Sequence, residues 1–444
     1  MGEVRLSSWR SSPGLAGRRP GPPVPGSASY RGLPPVRLEG STARRSGFGS
    51  GPEFRGGRQH RARRLLGQIF GTGSPLRHLN WILLGAVLAL CTLGTLLVWS
   101  ATATNGLNTS DPYLTKSILN IAIGLALMAG VSMLDYRQLR QYAPVVLAAS
   151  CLGLIVVLLP LGSLTAPVNG SKSWISLGAG FQIEPSEYAK LSIILVGAMI
   201  LGDLPRRERR PKVRALAIML AICVVPLLLV LAEPDLGVVI VMLALMIGMI
   251  ALSGIRLRWL IALLAGGAAG AFGALQLHLL KAYQLGRLTS FLHPSADPSG
   301  TGYSAHQSEI AIGSGGLTGQ GLFHGQLVAG GFVPEQHTDF IFAVAGEEIG
   351  FVGCLVIIGL LAIVLLCAIR IAARADDQFG TLVAGGIVAW FAVQAFINIG
   401  MTIGIMPVTG VPLPFVSYGG SAIFADMIAI GALQAVHRHR SVFA

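Results

Sequence analysis

Apolar runs of about twenty residues recur along the chain from residue 80 onward, separated by short polar segments. A helix of about twenty residues rises about 30 Å, which is the thickness of the hydrocarbon core of a bilayer. The pattern therefore predicts an all-α polytopic integral membrane protein with about ten transmembrane helices. The predicted spans are 80–100, 115–134, 143–162, 185–203, 215–232, 236–254, 258–278, 341–369, 380–405 and 419–436.

Basic residues occupy alternate loops between the predicted spans. The positive-inside rule places such loops in the cytoplasm, and an even number of spans then puts both termini there. Two long stretches, 163–184 and 279–340, fall on the outer side. The second lies between spans 7 and 8 and is predicted to be ordered, because it is neither of low complexity nor strongly charged. The basic loop residues are Arg137, Arg140, Arg206, Arg207, Arg209, Arg210, Lys212, Arg214, Arg256, Arg258, Arg370, Arg374, Arg438 and Arg440.

Charged residues make up only 12% of the 444 residues, against about 25% in a typical soluble domain, which excludes a soluble protein. The formal net charge of +13 invites a nucleic-acid reading, so its location along the chain matters. Residues 1–78 contain 14 Arg, no Lys and 3 Glu, and so carry most of the excess. The basic charge belongs to one tail, and no nucleic-acid partner is predicted.

That tail, residues 1–78, is rich in Arg, Gly, Pro and Ser and has no sustained hydrophobic periodicity. Such a segment cannot bury enough apolar surface to offset its ordering entropy, so we predict a disordered cytoplasmic tail. Its arginines would be attracted to the anionic cytoplasmic leaflet. The alternative is an upstream start-site extension that is not made. Residues 79–440 form the predicted membrane domain.

Candidate chemistry begins at the fourth predicted span, where Glu184, Glu187 and Lys190 follow a Trp-bearing segment. Pro185 suits the first turn of a helix, and acidic side chains favour the positive end of the helix dipole. Lys190 would then be the i,i+3 partner of Glu187. Ionisable groups at membrane depth are also functional candidates, and Lys190 could equally bind an anionic phosphate. The local sequence leaves both interpretations open.

The large outer loop contains the most suggestive carboxylate. Asp297-Pro298-Ser299-Gly300 is a good turn signal, and an Asp in such a sequence more often caps a turn than catalyses a reaction. The loop also carries Arg287 and a glycine-rich stretch over 313–321. A carboxylate in that setting could deprotonate a sugar hydroxyl, and Arg287 could neutralise a phosphate.

Further polar residues occur around the last three predicted spans. Glu347 and Glu348 lie about two turns into their span and are expected to face the interior of the bundle. His337 alone is more often a hydrogen-bonded loop residue than a metal ligand. Ser417 and Ser421 lie in an uncharged, Pro- and Gly-broken segment and could donate to a ligand, although capping of the following helix by Ser421 is the simpler account.

Six short motifs occur in order along the predicted membrane domain. They are Trp174-Ile175 with Pro185-Ser-Glu187, Glu233-Pro-Asp-Leu-Gly237, Tyr283-Gln284 with Arg287, Asp297-Pro298 with Gly302-Tyr303, Pro334-Glu-Gln-His-Thr-Asp-Phe-Ile-Phe342, and Pro414-Phe-Val-Ser-Tyr-Gly-Gly-Ser421. In combination they resemble the SEDS family (shape, elongation, division and sporulation), the polytopic peptidoglycan glycosyltransferases also called the FtsW/RodA/SpoVE family. The resemblance covers about residues 80 to 440. The run 401–410 is similar to the elongation branch, RodA, more than to the division branch, FtsW.

The resemblance implies polymerisation of lipid II into glycan strands on the outer face of the bacterial plasma (inner) membrane. In the family, the Asp of the Asp-Pro motif is the essential catalytic carboxylate, and it falls on Asp297. The implied mechanism is inverting: this base deprotonates the acceptor 4-hydroxyl, which attacks the anomeric carbon as undecaprenyl diphosphate leaves. Lys190 and Arg287 are expected to stabilise the departing diphosphate. Glu187 and His337 are expected to orient reacting groups.

The resemblance also implies partners. These are lipid II and the growing glycan strand, a class B penicillin-binding protein that cross-links the strands, and other elongation or division machinery. A divalent cation, Mg²⁺ or Mn²⁺, would help the diphosphate to leave and would suit the acidic outer face, although the sequence assigns no ligands to it.

Two other functions remain open. The same helices could form a flippase for the lipid-linked precursor, with Glu233, Glu347 and Glu348 as cavity carboxylates. The outer location of most acidic residues favours the enzyme over the transporter. The chain could also be a catalytically silent scaffold for a cross-linking partner, and the presence of Asp297 argues mildly against that.

Overall fold

The structure is a computed structural model. It describes residues 79–103, 112–160, 173–178, 181–203, 211, 213–233, 235–277, 285–287, 289, 291 and 302–443. The predicted tail, residues 1–78, and the predicted base Asp297 lie outside the described residues.

The described chain is almost entirely helical. In chain order its helices and strands are α1 (Trp81–Thr102), α2 (Pro112–Met133), α3 (Tyr136–Leu158), β1 (Ile175–Gly178), β2 (Phe181–Ile183), α4 (Pro185–Leu201), α5 (Val213–Ala232), α6 (Leu236–Leu252), α7 (Leu257–Gln276), α8 (Tyr303–Gly315), α9 (Gln326–Ala329), α10 (Ile341–Glu348), α11 (Gly350–Ala373), α12 (Gln378–Thr402) and α13 (Gly420–Phe443).

Among these residues, 7 helices are long and apolar enough to cross a bilayer. Helices that are apolar on all sides are typical of a membrane interior, because no face has to be kept for water. Large apolar side chains such as Ile118 on α2 and Leu152 on α3 point outward, where a bilayer would cover them. The chain is therefore a mostly helical, polytopic membrane protein, as predicted.

Helix α4 lies at the centre of this bundle. It packs against α3, α5, α6 and α12, and almost all of its side chains are buried. It begins at Pro185, which occupies the first helical position, where its missing N–H is not needed. The central position of α4 places Glu187 and Lys190 in the interior of the protein rather than at its lipid-facing surface.

The predicted span 341–369 is two helices rather than one. α10 ends at Glu348, and α11 begins at Gly350, which has a φ of 66°. The backbone N–H groups of Phe351 and Val352 donate to the carbonyls of Gly316 and Leu317 at 2.9 and 3.1 Å. The loop before α9 thus offers its carbonyls as acceptors to the first turn of α11. This contact explains why the helix is interrupted between α10 and α11.

The stretch 163–184, predicted to lie on the outer side, contains a small hairpin that hydrophobic periodicity did not predict. β1 and β2 pair antiparallel, with Ile175 opposite Ile183 and Ser176 opposite Gln182. Strands of four and three residues are too short for an alternating pattern to be recognised. The hairpin leads directly into the first residue of α4.

Candidate active site

Lys190 is fully buried at the centre of the candidate site. Its Nζ lies 2.8 Å from both carboxylate oxygens of Glu187 and donates to Gln394 Oε1 at 2.8 Å. It also lies 4.8 Å from the ring centroid of Trp390, close enough for a cation–π contact. The predicted i,i+3 pair of Glu187 and Lys190 is confirmed, and the lysine has charged, polar and aromatic partners at once.

The partners of Lys190 on α12 form a polar ladder that sequence reasoning missed. Trp390 Nε1 donates to Gln394 Oε1 at 2.6 Å, and Gln394 Nε2 donates to the carbonyl of Pro412 at 2.9 Å. One turn later, Asn398 Nδ2 donates to the carbonyls of Asp339 and Val411, each at 2.8 Å. The available signal was the spacing of Trp390, Gln394 and Asn398 by four residues inside an apolar span, which puts them on one helix face.

The non-helical segment before α13 is held by side chains rather than by regular backbone pairing. Ser417 Oγ accepts from the N–H of Leu413 at 2.8 Å, and the N–H of Phe415 donates to Asp426 Oδ2 at 3.3 Å. Phe415 has a φ of 64°, an uncommon conformation for a bulky residue. Broken backbone at membrane depth needs such partners. Ser417 holds this turn, and its predicted contact with substrate remains a prediction.

The expectation that Ser421 caps the following helix is wrong. α13 begins at Gly420, so Ser421 already lies in its first turn. Its Oγ instead accepts from the N–H of Glu184 at 2.6 Å. This bond ties the start of α13 to the start of α4, a long-range contact that local sequence cannot reveal.

His337 packs in an aromatic cluster. Its ring lies 5.2 Å from Tyr113 and 5.7 Å from Tyr418, measured between ring centroids. Its carbonyl accepts from the N–H of Tyr418 at 3.0 Å. Burial lowers the pKa of His337, which favours the neutral imidazole. The predicted role of His337 in orienting substrate stays a prediction.

Several carboxyl groups interact with one another near the start of α4. Burial, reinforced by neighbouring carboxylates, raises the pKa of Glu184 to about 8 and that of Glu233 to about 9. For Asp339, burial and the nearby Glu335 and Asp235 raise the pKa to about 7. At pH 7 the cluster is therefore partly protonated. Its negative charge is smaller than the number of carboxyl groups would indicate.

Arg287 is a second basic residue, after Lys190, beside this acidic cluster. Burial raises the pKa of Asp235 and of Asp339, and the positive charge of the Arg287 guanidinium lowers both again in part. Its NH1 donates to the carbonyl of Thr409 at 3.4 Å, a long hydrogen bond. Asp235 also caps α6 by accepting from the N–H of Val238 at 3.1 Å. Arg287 therefore lies beside buried carboxyl groups, where an anionic group could bind.

Glu347 and Glu348 face the interior, as predicted, and both are engaged with the predicted outer loop, 279–340. Glu347 accepts from the N–H groups of Leu327 and Val328 at 2.8 and 3.0 Å, at the start of α9. Glu348 accepts from Ser100 Oγ at 2.5 Å, and that hydroxyl accepts from the N–H of Phe323 at 2.7 Å. Glu347 holds loop backbone directly, and Glu348 does so through Ser100, which gives both carboxylates a structural role.

The glycine-rich stretch has a packing role. A Cβ at Gly315 would overlap the backbone oxygen of Gly346, and one at Gly319 would overlap the backbone oxygen of Glu348. Gly319 also has a φ of 80°, which side-chain-bearing residues rarely adopt. The stretch allows two backbones to approach closely, and sugar chemistry is not needed to explain its glycines.

No metal site is apparent in the part of the chain that the structure describes: no three His, Cys, Asp or Glu side chains there are placed to share an ion. The neighbouring acids already interact with Arg287 and with one another. The expected divalent cation therefore stays a prediction without assigned ligands.

Comparison with known proteins identifies the family. The FtsW/RodA/SpoVE family, described as cell cycle proteins, matches residues 80–442. The chain belongs to this family. It is 38% identical over 365 residues to the peptidoglycan glycosyltransferase MrdB of Escherichia coli, covering 82% of this chain and 95% of that protein. It is also 38% identical over 359 residues to the stage V sporulation protein E of Bacillus subtilis, covering 79% and 95%.

Solved structures agree with this assignment. A chain from a peptidoglycan synthase complex, described as coordinating polymerization and crosslinking, superposes with a TM-score of 0.67 at 29% identity and covers 82% of this chain and 98% of that one. The rod shape determining protein RodA of Thermus thermophilus superposes with a TM-score of 0.58 at 28% identity, covering 82% and 97%.

Proposed function

We propose that this chain is a peptidoglycan glycosyltransferase that polymerises lipid II into glycan strands during cell elongation. The observation that best supports this function is the group of ionisable side chains around the start of α4. There a buried Lys190–Glu187 pair, an arginine and several carboxyls lie together in a membrane bundle. The 38% identity to a named peptidoglycan glycosyltransferase, over 95% of its length, supports the same function.

The proposed topology has ten spans, both termini in the cytoplasm and the active site on the outer face of the plasma membrane. Each predicted span overlaps a described helix, with 341–369 divided between α10 and α11. The arginines Arg137, Arg140 and Arg214 lie at the helix ends opposite to the start of α4. A cytoplasmic location of these arginines is what the positive-inside rule predicts.

In the proposed reaction, Asp297 is the general base. It removes the proton of the acceptor 4-hydroxyl, whose oxygen attacks the anomeric carbon of the donor with inversion. The bond from that carbon to undecaprenyl diphosphate breaks, and the diphosphate leaves with the electron pair. Arg287 is the described cation best situated to contact the diphosphate. Lys190 is enclosed, so it acts through its charge and by holding Glu187 and Gln394 in place.

The proposed partner is a class B penicillin-binding protein that cross-links the new strands. The structural neighbour whose complex coordinates polymerization and crosslinking supports this proposal. A Mg²⁺ or Mn²⁺ ion, when bound, would neutralise charge on the leaving diphosphate.

The test is polymerisation by the purified full chain supplied with lipid II and a divalent cation. We expect glycan polymer from the wild type. We expect none from Asp297→Asn, which should stay folded and still bind lipid II. Asp376→Asn, an exposed acid before α12, is the matched control and should polymerise normally. Normal polymerisation by Asp297→Asn would show that the base is assigned wrongly.

The same material separates the alternatives. Movement of lipid II across vesicles without any polymer would favour the flippase. Capture of the cross-linking partner without polymer or transport would favour the silent scaffold. The engagement of Glu347 and Glu348 with loop backbone supports the enzyme over the flippase.

A further inference from the structure

A cavity lies at the opposite end of α4 from the candidate active site. It has a volume of about 1090 Å³ and opens between α3, the end of α4 and the start of α5. Ile200, in its wall, lies thirteen residues beyond Glu187 on α4, or about 20 Å along the helix. The cavity is therefore separate from the proposed site of polymerisation, and it is large enough for a ligand.

Three arginines line this cavity. Arg137 and Arg214 are exposed, and Arg140 pairs with Asp203 at 3.0 Å. A second carboxylate in the lining, Asp377, has both oxygens engaged: Oδ1 accepts from the N–H of Gly380 and Oδ2 from the hydroxyl of Tyr136, each at 2.9 Å. Asp377 also sits at the positive end of α12, which compensates its charge.

Within the part of the lining that the structure describes, Arg214 and Arg137, which also bonds the Tyr136 hydroxyl, are placed to contact an anion. Arg137 lies beside the Tyr136 hydroxyl, whose proton is donated to Asp377. Arg214 lies in the first turn of α5, across the cavity from α3. Guanidinium groups bind phosphate oxygens through paired, charge-assisted hydrogen bonds. The rim of the cavity is thus suited to a phosphate group.

The rest of the wall is apolar. Pro144 lies one turn beyond Arg140 on α3, and Ile200 and Ile218 face the same space from α4 and α5. Ile218 is 41% exposed in the chain alone. An inorganic phosphate would bind the rim and leave this apolar surface in water. A molecule that carries both a phosphate and a hydrocarbon chain would cover both parts.

We propose that this cavity binds an anionic phospholipid of the inner leaflet. Its phosphate contacts Arg137 and Arg214, and an acyl chain lies along Pro144, Ile200 and Ile218. The inner leaflet follows from the proposed topology, in which these arginines are cytoplasmic. Basic pockets between transmembrane helices on that side are typical sites for anionic headgroups.

The test uses the full chain, delipidated in a neutral detergent. Dioleoyl phosphatidylglycerol is titrated in, with dioleoyl phosphatidylcholine and inorganic phosphate as separate arms. Native mass spectrometry counts the bound lipid, and the rise in thermal unfolding midpoint gives an independent affinity. We expect phosphatidylglycerol to bind preferentially and inorganic phosphate not to displace it.

The variant Arg137→Gln/Arg214→Gln should weaken phosphatidylglycerol binding roughly 25-fold, about fivefold for each arginine. The control Arg258→Gln/Arg374→Gln removes two arginines of the same predicted face that do not line the cavity, and it should bind normally. Ala215→Trp keeps all the arginines but fills the apolar part, and it should also lose the lipid. Lipid-free unfolding of each variant verifies that it is folded.

Three results would overturn the proposal. If Arg258→Gln/Arg374→Gln weakened phosphatidylglycerol binding as much, the lipid would be attracted by the basic face in general and not bound in the cavity. Displacement of the lipid by inorganic phosphate would mean a small-anion site. Equal binding of phosphatidylcholine would mean that the arginines are not used. None of these results bears on polymerisation, so the two proposals fail separately.

Discussion

Two pairs of ionisable groups lie buried in this bundle, and they are held in opposite ways. Glu187 is paired with a cation, Lys190, which is further bonded to Gln394. Glu347 and Glu348 have neutral partners instead, namely loop N–H groups and the Ser100 hydroxyl. In the sequence, Glu187, Glu347 and Glu348 are all acidic residues inside predicted spans, so each was an equally good candidate for a functional role.

This difference in partners distinguishes a buried carboxylate with an electrostatic role from one that holds the structure together. A carboxylate that accepts two backbone N–H bonds fixes a loop. Its negative charge is compensated by those two donors. A lysine–glutamate pair beside partly protonated acids and Arg287 can respond to a bound anion. Burial of charge in a membrane protein therefore does not itself identify chemistry, and the partners of the charge have to be known.

The largest effect is expected from breaking the first pair. Lys190→Met leaves Glu187 buried without its partner, so we expect a loss of about 3–5 kcal/mol in the free energy of unfolding and no polymerisation. Thermal unfolding in detergent and polymer formation from lipid II measure the two consequences.

The double variant Glu187→Leu/Lys190→Met makes this comparison sharper. It removes both charges, so most of the stability should return, because a buried ion pair contributes little net stability. Polymerisation should stay absent. A stable double variant that polymerises normally would mean that the pair is architectural, like the other two glutamates.

A smaller loss is expected where the loop touches α10. Gly319→Ala puts a Cβ against the backbone of Glu348 at a positive φ, which should cost about 2–4 kcal/mol of unfolding free energy. Gly313→Ala is the matched control, since Gly313 lies in α8 with open space at its Cβ. The control should be neutral or slightly stabilising, and equal destabilisation by both variants would contradict the proposed contact.

Glu347→Gln tests the loop anchor more gently. The amide retains one acceptor oxygen but turns an NH₂ group toward a backbone donor, so we expect a loss of about 1–3 kcal/mol. Hydrogen exchange at Leu327 and Val328 should accelerate, while the Glu187–Lys190 pair should be unaffected. Unchanged exchange at those two amides would remove Glu347 from the role of anchor.

The smallest effect concerns pH. Burial raises the pKa of Asp339 from its ordinary 3.8 to about 7, so the folded chain holds this proton more tightly than the unfolded chain. The resulting stabilisation is complete below about pH 4 and is lost as pH rises to about 7. It should be about 1 kcal/mol or less, because the residue is partly exposed.

The measurement compares unfolding midpoints of wild type and Asp339→Asn over that pH range. The wild type should lose stability relative to the variant as pH rises. Asp376→Asn, which removes an exposed carboxyl, should follow the wild type. Parallel curves for wild type and Asp339→Asn would mean that Asp339 titrates at its ordinary pKa.

The sequence alone determined the class of fold, the approximate positions of the long apolar helices and the Glu187–Lys190 pair. Each depends on local periodicity: about twenty apolar residues match the bilayer, and a spacing of three residues puts two side chains on one helix face. The ordered motifs also predicted the family, which the comparisons confirmed.

Only the tertiary structure decided which partners the buried charges have. Gln394 lies 204 residues from Lys190, and Ser100 lies 248 residues from Glu348. The break at Gly350 likewise depends on loop carbonyls distant along the chain. Local pattern reports which side chains share a helix face, whereas the folding of distant segments against one another determines whether a buried carboxylate meets a cation or a loop.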